Sequence, residues 1–213
     1  MTNVAAYINF IETNEPIDAL KTKFGGNPVW LEKASWPISR STGKPMNFIC
    51  QIAIDTSIFP NAKGKMAYIF MTGDEDGGDA ETWDPESGEN AVIIQPSHVL
   101  EADVQEIAVG PTIASEYDVQ LKIVNDIAAP ALESIDVDDP NYEEIMNSIA
   151  GNKIGGTPLF IQGDESPEGD DWVLLLQLDS TQLPFEINFG TCGVAYAFIN
   201  TNGDKGKFLW QCG

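Results

Sequence analysis

Histidine and arginine are almost missing from this chain: His98 is the only imidazole and Arg40 the only guanidinium among 213 residues. A single histidine excludes zinc sites built from several His and Cys ligands and leaves at most one imidazole base. With one arginine, the planar fork that grips phosphates and carboxylates is nearly absent. Basic residues number 11 against 33 acidic ones, a formal net charge of -22. A field of that sign repels nucleic-acid phosphates and anionic lipid surfaces, so neither nucleic acid nor membrane is an expected partner. Cys50, Cys192 and Cys212 are an odd number with no C-x-x-C pair, which argues against a disulfide framework and for reduced, buried thiols. No apolar run approaches the roughly 18 residues of a spanning helix, and Met1 to Ala6 lacks the basic start and apolar core of a secretory signal. A soluble, cytoplasmic protein is expected.

What the chain does have is an echo of itself. Lys23-Phe24-Gly25-Gly26-Asn27-Pro28-Val29-Trp30-Leu31 returns as Lys153-Ile154-Gly155-Gly156-Thr157-Pro158-Leu159-Phe160-Ile161. Met46 to Ile52 matches Trp172 to Leu178, Ala67-Tyr68-Ile69-Phe70 matches Ala195-Tyr196-Ala197-Phe198, and Ile94-Gln95 matches Trp210-Gln211. Four blocks in one order imply an internal duplication. The expected organisation is a single domain over 1–213, with a first repeat at 23–95, a connector at 96–150 carrying a helix near 140–150, and a second repeat at 151–213. No low-complexity linker separates the repeats, so two pseudo-symmetric halves should pack together.

Short apolar runs bounded by Gly, Pro, Asp and Asn predict strands at 4–12, 48–54, 66–71, 91–95, 119–124, 172–178, 194–199 and 208–210. Asp139-Pro140 predicts the cap and first turn of a helix that Gly151 stops, and Asn14 to Leu20 suits a shorter helical turn. The fold class is therefore α+β and β-rich, with few short helices.

Paired glycines before proline suit a turn that needs positive φ or close backbone approach, a bend that delivers Trp30 or Phe160 into the core. A ligand loop is the alternative reading; the spacing fits neither dinucleotide-binding nor Walker phosphate loops. Gln51, Gln177, Gln95 and Gln211 lie inside apolar runs at matched positions. A buried amide must find hydrogen bonds or cost about 1–3 kcal/mol, so these residues should fasten a bend or strand edge in each half, or else form a shared polar site. The acidic loop at 74–89 misses the EF-hand frame and reads as an enlarged solvated hairpin loop, with weak Ca²⁺ binding or recognition as alternatives. Asp164, Glu165, Glu168, Asp170 and Asp171 form a second acidic turn. No catalytic residue, metal site or cofactor is expected.

The Lys-Phe-Gly-Gly-x-Pro-x-Trp block at 23–30, Trp36-Pro37, Gly43-Lys44-Pro45-Met46-x-Phe48-x-x-Gln51-Ile52 and Gly206-x-Phe208-Leu209-Trp210-Gln211-Cys212 together resemble the bacterial YwqG-like family, domain of unknown function 1963. That family is distantly similar to the eukaryotic programmed cell death protein two and its relatives, which resemble chaperones or adaptors for a ribosomal protein. Those relatives often carry C-x-x-C-G where this chain has Ser39-Arg40-Ser41-Thr42-Gly43, so a metal-stabilised turn does not carry over. The resemblance implies a duplicated β-rich fold and a protein-binding role.

The expected function is non-enzymatic: a chaperone-like or adaptor-like module for a basic protein client. The expected contact residues are Trp30, Gln51, Phe160, Gln177, Trp210 and Gln211. An immunity-type neutraliser of a protein toxin is a second reading, and a small-ligand or Ca²⁺-binding protein or enzyme a third.

Overall fold

A computed structural model describes residues 3–73, 80–96, 103–113, 115–169 and 171–213. Its main feature is a ten-stranded sheet. In the first half lie β1 (Asn3–Thr13), β2 (Lys23–Phe24), β3 (Trp36–Pro37), β4 (Asn47–Ala53), β5 (Met66–Met71) and β6 (Asn90–Gln95). Next come β7 (Val104–Gln105), β8 (Glu116–Asp126), α1 (Ala129–Glu133) and α2 (Tyr142–Ile149). The second half supplies β9 (Lys153–Gly155), β10 (Trp172–Asp179), a single 3₁₀ turn (Ser180–Gln182), β11 (Val194–Asn200) and β12 (Gly206–Gln211). The fold is β-rich α+β, as the apolar patterning predicts.

Strand order is β12-β11-β10-β9-β1-β8-β2-β4-β5-β6, with β3 and β7 paired separately. At the centre β1 and β8 run antiparallel in continuous register from Asn3↔Asp126 to Thr13↔Glu116. The segment between the repeats thus supplies a central strand, longer than the predicted 119–124. The central strands tie the halves together: β1 of the first half pairs with β9 of the second, and β8 of the connecting segment pairs with β2 of the first. Both halves carry a bulge, between Phe48 and Cys50 on β4 and between Leu174 and Leu176 on β10.

The sheet curls until its edge strands β6 and β12 face each other. A Cβ added to Gly206 would lie 2.4 Å from Val92 Cγ1. Side chains close the seam: Trp210 Nε1 donates to Thr82 Oγ1 at 3.1 Å, Asn61 Nδ2 to the Thr201 carbonyl at 2.9 Å, and Lys65 Nζ to the Gly203 carbonyl at 2.6 Å. Side chains alternate across a strand and each bulge turns two successive residues to one face, so Ile49, Ile52, Ala67, Ile69, Leu175, Leu178, Ala197 and Phe208 point inward and form one core shared by both halves. The outward rows form two smaller clusters, one on each half. Being covered on both faces explains why β5 and β11 are buried throughout and apolar but for the terminal Asn200 of β11.

Some local expectations need correction. Residues 14–20 form bends and no helix. The helix α2 has Asn141 at its N-cap; Asp139 instead accepts the Asn141 N–H at 2.7 Å, closing a turn before the helix. Cys50 is buried, but Cys192 is exposed and Cys212 half-buried, because the ends of β11 and β12 lie at the rim. His98 and residues 74–79 of the acidic loop lie outside the described residues.

Candidate functional site

Gly25, Gly26, Gly155 and Gly156 all have positive φ, between 63° and 80°. A Cβ on Gly25 would lie 2.0 Å from the Ser115 carbonyl oxygen, and one on Gly156 2.1 Å from Asp126 Oδ2. These glycines meet both demands, a left-handed backbone and close approach to β8. After each bend the chain runs over the outer face of the sheet and places Trp30 or Phe160 there, half-buried.

The matched glutamines hold those runs in place. Gln51 Oε1 accepts the Val29 N–H at 2.7 Å, and Gln177 Oε1 accepts the Leu159 N–H at 2.8 Å. Their amide nitrogens donate to the carbonyls of Ala19 and Lys21 in one half and of Ile149 and Gly151 in the other. Gln95 accepts from Glu32 N and donates to the Lys33 carbonyl; Gln211 accepts from Ile161 N and Gln162 N and donates to the Gly163 carbonyl. Tyr68 donates to the Val29 carbonyl at 3.0 Å, as Tyr196 does to that of Leu159 at 2.7 Å. All four glutamines are buried, and each fastens a loop of its own half.

Two buried lysines anchor the glycine bends to β8. Lys23 Nζ pairs with Glu116, and Lys153 Nζ with Asp126 at 3.0 Å. Burial lowers the Lys153 pKa below that of a free lysine, and Asp126 offsets part of that effect. In the first half, Glu89 accepts hydrogen bonds from Ser39 Oγ at 2.6 Å, Thr72 Oγ1 at 2.8 Å and Ser41 N at 2.7 Å. Burial pushes its pKa upward, yet these donors outweigh it and hold the carboxyl below its usual range.

The outer faces of the halves differ. On the first half Trp36 is fully buried, its ring 5.3 Å from Phe70, 6.2 Å from Trp30 and 6.5 Å from Phe48. The β3–β7 pair covers this cluster. On the second half, Phe160 packs on Tyr196 at 4.9 Å and on Phe198 at 6.4 Å. Above it opens a cavity of about 490 Å³ between α1, the Gly155–Pro158 bend and the start of β10. Phe160, Leu174 and Phe198 contribute apolar wall, and the exposed Glu133 and Asp164 contribute carboxylates. A volume of this order with an apolar lining and few polar groups is what a binding site offers.

Of the residues predicted for contact, Phe160 lines this cavity. Trp30 caps the filled face of the other half, Trp210 lies inside the seam, and Gln51, Gln177 and Gln211 are buried loop fasteners. They do not converge on one surface. Sequence reasoning did not single out Leu174 or Phe198, because apolar residues in a buried strand carry no mark of facing a cavity. A smaller cavity of about 270 Å³ at the seam gathers Arg40, Lys205 and Lys207 with Glu86 and Asp103. Lys207 Nζ bridges to Glu86 at 3.0 Å across the seam, and Arg40 donates to the Glu86 carbonyl within the first half. Among the described residues no group of three or more His, Cys, Asp or Glu side chains is arranged to hold a metal ion, and no helix is long and apolar enough to cross a membrane.

No curated protein matches the chain. The family model for domain of unknown function DUF1963 matches residues 22–205, and the chain belongs to that family.

Proposed function

We propose that this protein is a non-enzymatic binding module for a basic protein, a chaperone-like or adaptor-like role in which a toxin would be one special kind of client. The observation that carries this reading is the cavity on the second half, an apolar recess with carboxylates at its rim on a body of net charge -22. The matched face of the first half is filled by the chain's own Trp36. The glycine bends, the glutamines and both buried lysines are consumed in holding loops to the sheet. Association with a basic client should be fast and should weaken with salt, because exposed carboxylates attract over roughly a Debye length of 8–10 Å at 0.1–0.15 M ionic strength.

Capture from the source cell at about 50 mM and about 500 mM salt tests the reading, since screening grows steeply over that range. A basic protein retained at low salt and released at high salt supports it. Capture of no basic protein at low salt refutes it, and the identity of a captured protein separates a cellular client from a toxin.

A further inference from the structure

The two outer faces are built on one plan with one group left out. Trp30 packs on Tyr68 at 4.6 Å and on Phe70 at 6.1 Å with rings 13° apart; Phe160 packs on Tyr196 at 4.9 Å and on Phe198 at 6.4 Å with rings 17° apart. Phe48 on β4 is matched by Leu174 on β10, each just ahead of the bulge. In the first half the indole of Trp36, six residues beyond Trp30, rests among Trp30, Phe48 and Phe70. Six residues beyond Phe160 stands Ser166, and Pro167 follows it as Pro37 follows Trp36. Ser166, Phe160, Leu174 and Phe198 all line the 490 Å³ cavity.

We infer that this cavity is a seat for a tryptophan side chain of a partner protein, occupying on the second half the place that Trp36 occupies on the first. The inference rests on the protein-binding reading and names what the client inserts. Three features select an indole. Phe198 and Phe160 supply the ring contacts that Phe70 and Trp30 give Trp36, and offset or edge-on aromatic pairs attract beyond what their buried area alone provides. The indole N–H of Trp36 donates to the Met46 carbonyl at 2.7 Å, and the residue matched to Met46, Trp172, lies at the cavity wall. Trp30, Phe48 and Trp36 are replaced by the smaller Phe160, Leu174 and Ser166; Met46 is replaced by the larger Trp172, but its indole N–H is tied to the Glu168 carbonyl and a cavity of about 490 Å³ stays open beside it. Glu133 and Asp164 at the rim favour a tryptophan flanked by lysine or arginine. A buried aromatic anchor with a charged surround is the usual form of an interface hot spot.

A peptide with one tryptophan between lysines, and the same peptide with alanine in its place, test this by amide-resolved NMR titration of the full chain. The tryptophan peptide should bind at least tenfold more tightly and shift the amides of Phe160, Ser166, Leu174 and Phe198. Ser166→Trp should fill the seat with the chain's own ring, raise the melting temperature and weaken peptide binding at least tenfold. Ser166→Leu is a smaller plug should the first variant fold poorly. Equal binding of both peptides, or shifts confined to other surfaces, overturns the seat. If wild type and Ser166→Trp capture the same basic protein equally, the seat fails while the client reading stands; if the tryptophan peptide binds in the cavity but no basic protein is captured, the seat stands and the client reading fails.

Discussion

Lys153 and Asp126 meet at 3.0 Å with their side chains 0% and 3% exposed, so a charge pair lies almost wholly inside the protein where β9 approaches β8. The same ammonium donates to the Thr157 carbonyl at 2.7 Å, and Asp126 Oδ2 also accepts the Thr157 N–H. Removing one member strands the other. Lys153→Met should therefore cost about 3–5 kcal/mol. The double variant Lys153→Met with Asp126→Leu should recover part of that loss. Urea denaturation of the four proteins in this cycle measures it, and a purely additive result contradicts the coupling.

Gln51 and Gln177, both buried, each satisfy one backbone donor and two carbonyls, most of them partly buried. Gln51→Leu keeps the volume but leaves the Val29 N–H and the Ala19 and Lys21 carbonyls unpaired. A loss of about 1–3 kcal/mol follows, the cost of orphaned buried groups. Gln177→Leu should cost a similar amount. Thermal unfolding of both variants checks this, and an unchanged melting temperature in either refutes the fastening role.

Positive φ separates two classes of glycine. Gly43 (φ 67°) has open space around its Cβ position, so Gly43→Ala carries only the left-handed penalty of about 1–2 kcal/mol. Gly25→Ala adds a collision with the Ser115 carbonyl oxygen at 2.0 Å, which belongs to backbone and cannot rotate away. The Gly25 variant should be much the less stable of the two by equilibrium denaturation or, failing that, by soluble yield.

Alkaline pH should unfold the protein through its tyrosines. Burial raises the Tyr68 pKa to about 12, with the Leu31 N–H partly opposing it and Glu32 adding to it. Burial and Asp126 raise that of Tyr7 to about 12; Tyr196 shifts the same way. A group whose pKa is higher when folded stabilises fully below its unfolded value near 10 and loses that contribution as the pH climbs through the folded value. Lys153, shifted downward, works in the opposite direction: the unfolded chain binds its proton more readily, so this burden lightens as the pH approaches 10.5. Stability should fall between about pH 10 and 12, and Tyr68→Phe should make that fall shallower in circular-dichroism melts, at the expense of lower stability at pH 7. An equally steep fall in the variant refutes the assignment.

Much of this was legible from residues. Val194 to Ile199 and Met66 to Met71 are apolar, short and bounded by turn formers, so their strands follow from local chemistry. The Gly-Gly bends and buried glutamines were readable because each residue type has few ways to be satisfied in an apolar run. Residues 14–20 misled: Pro16, Ala19 and Leu20 suit a helical turn, but tertiary bonds set the path of the segment, with the Ile17 N–H donating to Glu116, its carbonyl accepting from Lys23 Nζ and the Ala19 carbonyl accepting from Gln51.

By itself the sequence determined the strand-rich class, the matched motifs and the negative charge, since these depend on side-chain type and spacing along the chain. Only the tertiary structure decided that β1 pairs with β9 and β8 with β2, that the sheet edges meet, and that Ser166 stands over an open recess where Trp36 fills its own. Those properties depend on what lies opposite each residue in space, and a cavity is defined by the side chain that is missing from it.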